Sequence, residues 1–242
     1  MLFINRPNCG VTKVLDIGMS PSWNLEELRE HVRRIGGEDD LLEIIHSIDR
    51  AILIFRYHLF TARDALKGII DETDPTGIIN TSFVFGASDR QEEYVYAKIV
   101  NEANVIGCIH AVRSIYDIFA QLANGLLLNC SIPLHLCDVG RVQESIPKSE
   151  LKTQLGKLLD SDWFNYIVGF INTTKHRRLV QHQFSVSFEH GIAGIRLGAF
   201  EYKGRSFPSY WGTEVLQGAL EVKNTVIDCG RALNQLCGAT NA

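Results

Sequence analysis

Apolar residues recur at alternating steps of four and three in four separate stretches of this chain, and few folds can satisfy that pattern. The longest run is Leu41, Ile45, Ile48, Ile52, Phe55, Leu59, Ala62, Leu66 and Ile69. A second is Val105, Ile109, Val112, Tyr116, Phe119, Ala123 and Leu126, and a third is Val215, Ala219, Val222, Val226, Cys229, Leu233 and Leu236. A shorter one joins Trp163, Ile167, Phe170 and Thr174. Steps of four and three average 3.5 residues, the seam along which helices pack nearly parallel or antiparallel. The second stretch carries an additional apolar row, Cys108, Ala111, Ile115, Ile118 and Leu122, so it is expected to touch two neighbours and to lie centrally.

Between the third and fourth helices the period falls to two. Phe184, Val186 and Phe188 alternate with serines, Glu189-His190-Gly191 turns the chain, and Ile195, Leu197 and Ala199 alternate again. That is a β-hairpin at about 183–203. The expected fold is therefore mainly α: a four-helix bundle with a β-hairpin inserted before the last helix. A single domain is expected over 1–242, with 1–37 as an N-terminal extension and 38–238 as the bundle. The extension holds a short strand at Thr12 to Ile17 and a short helix after Asn24. Asp71 to Asp89, with Pro75, Gly77 and Gly86, reads as a connecting loop, and so does most of 129–150.

Composition narrows the function classes. At 45% hydrophobic and 21% charged the chain is globular in type, and its formal net charge of −4 provides no global attraction to nucleic acid. No run of about 18 uncharged apolar residues stands out as a membrane span. The start, Met1-Leu-Phe-Ile-Asn-Arg-Pro, lacks the layout of a secretory signal. A cytoplasmic protein with no membrane partner is expected. The six cysteines show no paired C-x-x-C spacing, and neither phosphate-loop, dinucleotide nor zinc-protease motifs occur. No metal and no cofactor are expected.

The densest cluster of cationic and titratable groups follows the Trp163 helix: Lys175, His176, Arg177, Arg178 and His182. A guanidinium matches a phosphate, and an imidazole moves protons near neutral pH. Asn172 stands one turn before His176, on the same face. On the central helix a polar stripe, His110, Arg113, Asp117 and Gln121, occupies the remaining face. It reads either as a surface ion pair between Arg113 and Asp117 or as groups that support the cluster. The cluster itself reads either as a solvated helix C-terminus, where cations meet the exposed carbonyls, or as a phosphate site.

The segment Arg177-Arg-Leu-Val-Gln-His182, on an inferred helical bundle, resembles the signature of the HEPN superfamily. That signature is an arginine and a histidine a few residues apart on a four-helix core, usually completed by dimerisation. The resemblance covers roughly Leu41 to Leu236. It implies a homodimer of a defence or toxin–antitoxin type that is a metal-independent endoribonuclease or an RNA- or phosphate-binding protein. Arg177 would stabilise the phosphate and His182 would act as general acid or base. Asn172, Lys175, His176 and Arg178 would bind substrate, and His110, Arg113 and Asp117 would stand behind them. The acidic net charge and the heptad-rich helices favour the alternative, a non-catalytic helical interaction or oligomerisation protein.

Overall fold

The computed structural model describes residues 23–36 and 39–239; the strand expected at Thr12 to Ile17 lies outside them. Among the described residues there are eight α-helices, with a small set of antiparallel strands placed before the last. The protein is mainly helical, as the periodicity requires.

Helix α1 (Leu25–Arg34) begins where Asn24 accepts a hydrogen bond from the Glu27 amide, and it places acids in its first turn and bases in its last. It buries Leu25, Leu28 and Val32. Helix α2 (Asp39–Asp64) buries Ile45, Ile48, Phe55, Leu59 and Ala62 of the expected row, leaves Leu41 and Ile52 half-buried, and buries Ala51 beside them. The helix stops at Asp64, short of Ile69, although Leu66 in the following turn is still buried. Helix α4 (Gln91–Leu128) runs antiparallel to α2. Leu41 lies against Gly125, His58 against Asn104, and Asn101 against the Ala62 carbonyl. Each fully buried Phe55 or Leu59 along this seam contributes on the order of 2 kcal/mol of apolar burial.

Burial along α4 changes midway. Up to Asn104 only Tyr94, Ala97 and Asn101 are buried; from Val105 onward both expected rows are, except for the half-buried Ile118 and Leu126. Its C-terminal half touches α2, α5 (Val139–Ser145), α7 (Asp162–His176) and α8 (Gly212–Ala239), which makes it central. By length and composition α4 could also cross a membrane, with a window of mean hydropathy 1.2. Of that window 56% is buried inside the fold, as in a core helix.

Two segments expected to be loops contain helix. Ile78–Phe85 forms α3, and its flanking glycines are its ends rather than signs of a loop. Gly77 is the N-cap, and Gly86 takes the left-handed conformation (φ 67°) that closes a helix. Asp138 caps α5 by accepting from the Arg141 amide. Helices α6 (Glu150–Asp160) and α7 start at Ser149 and Ser161, whose hydroxyls accept from Lys152 and Phe164 amides.

The expected hairpin is present as β1 (His182–Ser187) and β2 (Ile192–Leu197), paired from His182↔Leu197 to Ser187↔Ile192 around Gly191 (φ 59°). It does not continue as one ribbon to Tyr202. Strand β3 (Phe200–Tyr202) folds back on β4 (Arg205–Phe207) as a separate two-stranded sheet. Strand β5 (Tyr210–Trp211) returns to β2, so the first sheet has the order β1-β2-β5. One edge of β1 has no strand partner among the described residues.

The two ends of the described chain are clasped. Trp23 donates from Nε1 to Asn234 Oδ1 at 2.9 Å, and Asn234 donates to the Asn24 carbonyl and to Glu27. The indole lies on Gly230, where a methyl group would collide with it, and edge-on to Phe119.

Candidate functional site

Helix α7 ends at His176 because the Arg177 and Arg178 amides both fold back to the Thr173 carbonyl, at 3.0 and 3.1 Å. Lys175, His176, Arg177 and Arg178 are all exposed there. The chain then straightens into β1. This change of direction sends the two members of the arginine–histidine pair to different partners. Arg177 Nη1 donates to the Glu201 carbonyl on β3 at 3.2 Å, and its guanidinium stands 5.9 Å from the Tyr202 ring centroid. His182 instead points at α4, and its side chain is only 3% exposed. No hydrogen bond and no shared partner joins the two residues, contrary to the expectation that both act on one phosphate.

The His182 ring is fixed in a defined state. Asn101 Nδ2 donates to the Ala62 carbonyl at 2.7 Å, which leaves Asn101 Oδ1 to accept from His182 Nε2 at 2.9 Å. The proton therefore sits on Nε2. Nδ1 has no hydrogen-bond partner and lies 3.6 Å from a Glu102 carboxylate oxygen. Burial, and after it the charge of Lys98, lowers the His182 pKa to about 4. The ring is neutral at physiological pH, so it is a poor general acid.

The remaining predicted residues divide as follows. Asn172 donates to the Val168 carbonyl at 2.7 Å, a bond within its own helix, and not to His176. His110, Arg113 and Asp117 are half-buried, with Arg113 Nε 3.0 Å from Asp117. The stripe does face the end of α7. Burial and then Lys175 depress the His110 pKa, and burial raises that of Asp117 against the pull of Arg113 and Lys175. Lys175 is thus brought to the stripe, and His182 is not.

The structure offers a second feature that the periodicity did not single out. A groove of about 680 Å³ runs between α3, the N-terminal half of α4 and β1. Its apolar base is Phe83 stacked on Tyr94 (4.8 Å between centroids), with Phe184 edge-on to both. Val95, Lys98, Ile99 and Glu102 form the α4 side. On the β1 side Gln183, Phe184, Ser185 and Val186 all line it. Alternate residues of a strand point to opposite faces, so four consecutive ones can border one groove only if it follows the strand's open edge. Val95 (46% exposed), Ile99 (59%) and Tyr96 (72%) continue the apolar surface along α4.

One sequence signal pointed toward this region. The row Tyr94, Ala97, Val105, Cys108 is broken by Asn101, a polar residue where packing calls for an apolar one. Buried asparagine needs a specific partner, and that partner is His182. No protein-family model, no curated protein and no solved structure matches this chain.

Proposed function

We propose that this chain is a non-catalytic helical association protein that works through the groove beside β1. In this reading α2, α4, α7 and α8 form a four-helix bundle that serves as scaffold, and the hairpin before α8 supplies the docking edge. The observation that carries the proposal is the groove's construction: a strand edge without a strand partner beside a helix that exposes Val95, Tyr96 and Ile99 alongside Lys98 and Glu102. An edge strand offers unpaired amides and carbonyls to another chain, and an apolar surface beside it adds affinity. The resemblance to HEPN proteins keeps its place as an account of the scaffold. As an account of catalysis it has a neutral, enclosed His182 and a separately held Arg177 against it.

The test is site-specific photo-crosslinking of the full chain, with benzoylphenylalanine placed at Tyr96 and, as control, at Phe188, which is 71% exposed at the tip of the hairpin. A covalent adduct is expected from position 96, not from 188, and is expected to vanish when Val95 and Ile99 are both changed to Glu. Equal labelling from the two positions, or none from 96, overturns the proposal.

A further inference from the structure

Resting on that association reading, we infer that the groove takes a basic segment of a partner protein, with an arginine or lysine head seated between Glu102 and His182. Two acceptors meet there without a donor. The His182 ring donates from Nε2 to Asn101, so Nδ1 keeps its lone pair, and it lies 3.6 Å from a Glu102 carboxylate oxygen. The His182 side chain is 3% exposed, and Nδ1 has no hydrogen-bond partner among the described residues. An enclosed acceptor beside a carboxylate is unfavourable until a donor joins them. Glu102 lines the groove with its side chain 29% exposed, so a donor can reach the pair from the groove. One nitrogen about 2.9 Å from each acceptor bridges such a gap, and a guanidinium or ammonium group adds the charge that a carboxylate favours. Gln91 Oε1, on the same α4 side of the groove, is another buried acceptor without a donor.

The wider charge pattern favours the same occupant. Residues 71–104 carry seven acidic side chains and two basic ones in a chain whose formal net charge is −4, so the negative charge is concentrated in the stretch that builds this side of the groove. Glu72, Asp74, Asp89 and Glu92 are exposed on the loops flanking α3 and at the start of α4. Of the two bases, Arg90 is already held by Glu93 and the Gly68 carbonyl. A polyanion such as RNA is repelled by such a surface, and a basic peptide is drawn to it. Helix α3 packs on β1 where Phe83 meets Phe184; the seat for the cation lies on the His182 side of that contact, where Gln183 and Glu102 border the groove. Lys98 stands one turn before Glu102, lines the groove too, and makes no ion pair among the described residues. It opposes an incoming cation, so removing Lys98 and removing Glu102 must act in opposite directions.

The experiment is fluorescence anisotropy of the full chain with three labelled peptides in which valine and leucine alternate with a variable residue: arginine, its uncharged isostere citrulline, or glutamate. Circular dichroism shows that each variant is folded. The arginine peptide is expected to bind about tenfold or more tighter than the citrulline peptide, and the glutamate peptide not to bind. Glu102→Gln is expected to abolish the arginine preference and Lys98→Gln to strengthen arginine binding severalfold. Glu43→Gln, exposed on α2 away from the groove, is expected to leave it unchanged. The nitrogen NMR signal of His182 Nδ1 is expected to shift with the arginine peptide and not with the citrulline peptide. Equal binding of those two peptides, equal effects of Glu102→Gln and Glu43→Gln, or an Nδ1 signal that stays in place overturns the inference. So does a peptide-free chain found by light scattering at twice 27.2 kDa with its groove closed to peptide, which gives the groove to a second copy. If position 96 still crosslinks to a partner while the arginine preference is absent, only the basic-segment inference falls; if position 96 crosslinks to nothing, the association reading falls with it.

Discussion

Replacing His182 with Gln removes one titration from the fold while keeping an N–H to donate to Asn101. The imidazole has an ordinary pKa of 6.5 when the chain is unfolded, and about 4 in the folded protein. A depressed histidine pKa means that the folded state resists protonation. The site's stability is therefore fully present above pH 6.5, falls as pH drops through 6.5, and stops falling below about 4. From the linkage relation, the wild type loses about 2 kcal/mol at this site between about pH 7.5 and about pH 5. Lys98 and Glu102 are the charged groups of α4 that face the ring. Burial lowers the ring's pKa and Lys98 deepens the shift; Glu102 lies 3.6 Å from Nδ1. Urea unfolding of both proteins at the two pH values reads the difference directly. Other groups with perturbed ionisation, such as His31, His110 and Asp117, are the same in both proteins and cancel. With an m-value of about 3 kcal/mol per molar, the wild-type midpoint should fall by about 0.7 M more than that of the variant. Parallel pH dependence of the two would show that the ring is not enclosed as described, and would return His182 to the list of accessible acid–base groups.

Two further outcomes follow from the geometry. Gly218 on α8 lies under the Trp163 indole so closely that a methyl group would overlap the ring; Gly218→Ala should cost about 3 kcal/mol and lower Tm by about 10 °C in a thermal melt. Gly238→Ala, with nothing within 4 Å of the added carbon, should not be destabilising, and similar melts for the two would refute the packing. RNA incubated in excess chelator should show no cleavage that distinguishes wild type from His182→Gln; loss of a cleavage activity in the variant, with the fold retained, would restore the nuclease reading.

What could be read from the sequence followed periodicity, and what escaped it depended on distant partners. The α2 row and both α4 rows appear in the core because helical spacing alone decides which side of a long helix is apolar. Helix α3 was hidden because its residues, Ile-Ile-Asn-Thr-Ser-Phe-Val-Phe, are largely β-branched, aromatic or small and polar, and have modest helix propensity. It buries only Asn80 and Phe83, so tertiary contact and two glycine ends define it. Spacing in sequence also misled at the site. Arg177 and His182 are five positions apart, but a helix end and a strand start lie between them, and each change of direction turns a side chain toward a different neighbour. The stripe of His110, Arg113 and Asp117 was recognisable from its own helix, yet its meeting with Lys175 depends on how α7 crosses α4. Nothing local marks the open edge of β1, because an edge is defined by which strand fails to arrive.

The clasp between Trp23 and Asn234 spans a separation of 211 residues. A ribosome releases the indole 211 residues before the asparagine that seats it. Until Gly230 and Asn234 have emerged, the opening helix has no surface to settle on and must wait beside a half-built neighbour. Closing so large a loop is entropically slow relative to zipping up α2 against α4. Docking of α1 is therefore a late event that waits for Gly230 and Asn234, and removing residues 231–242 should leave that helix unanchored while the long antiparallel pair still forms.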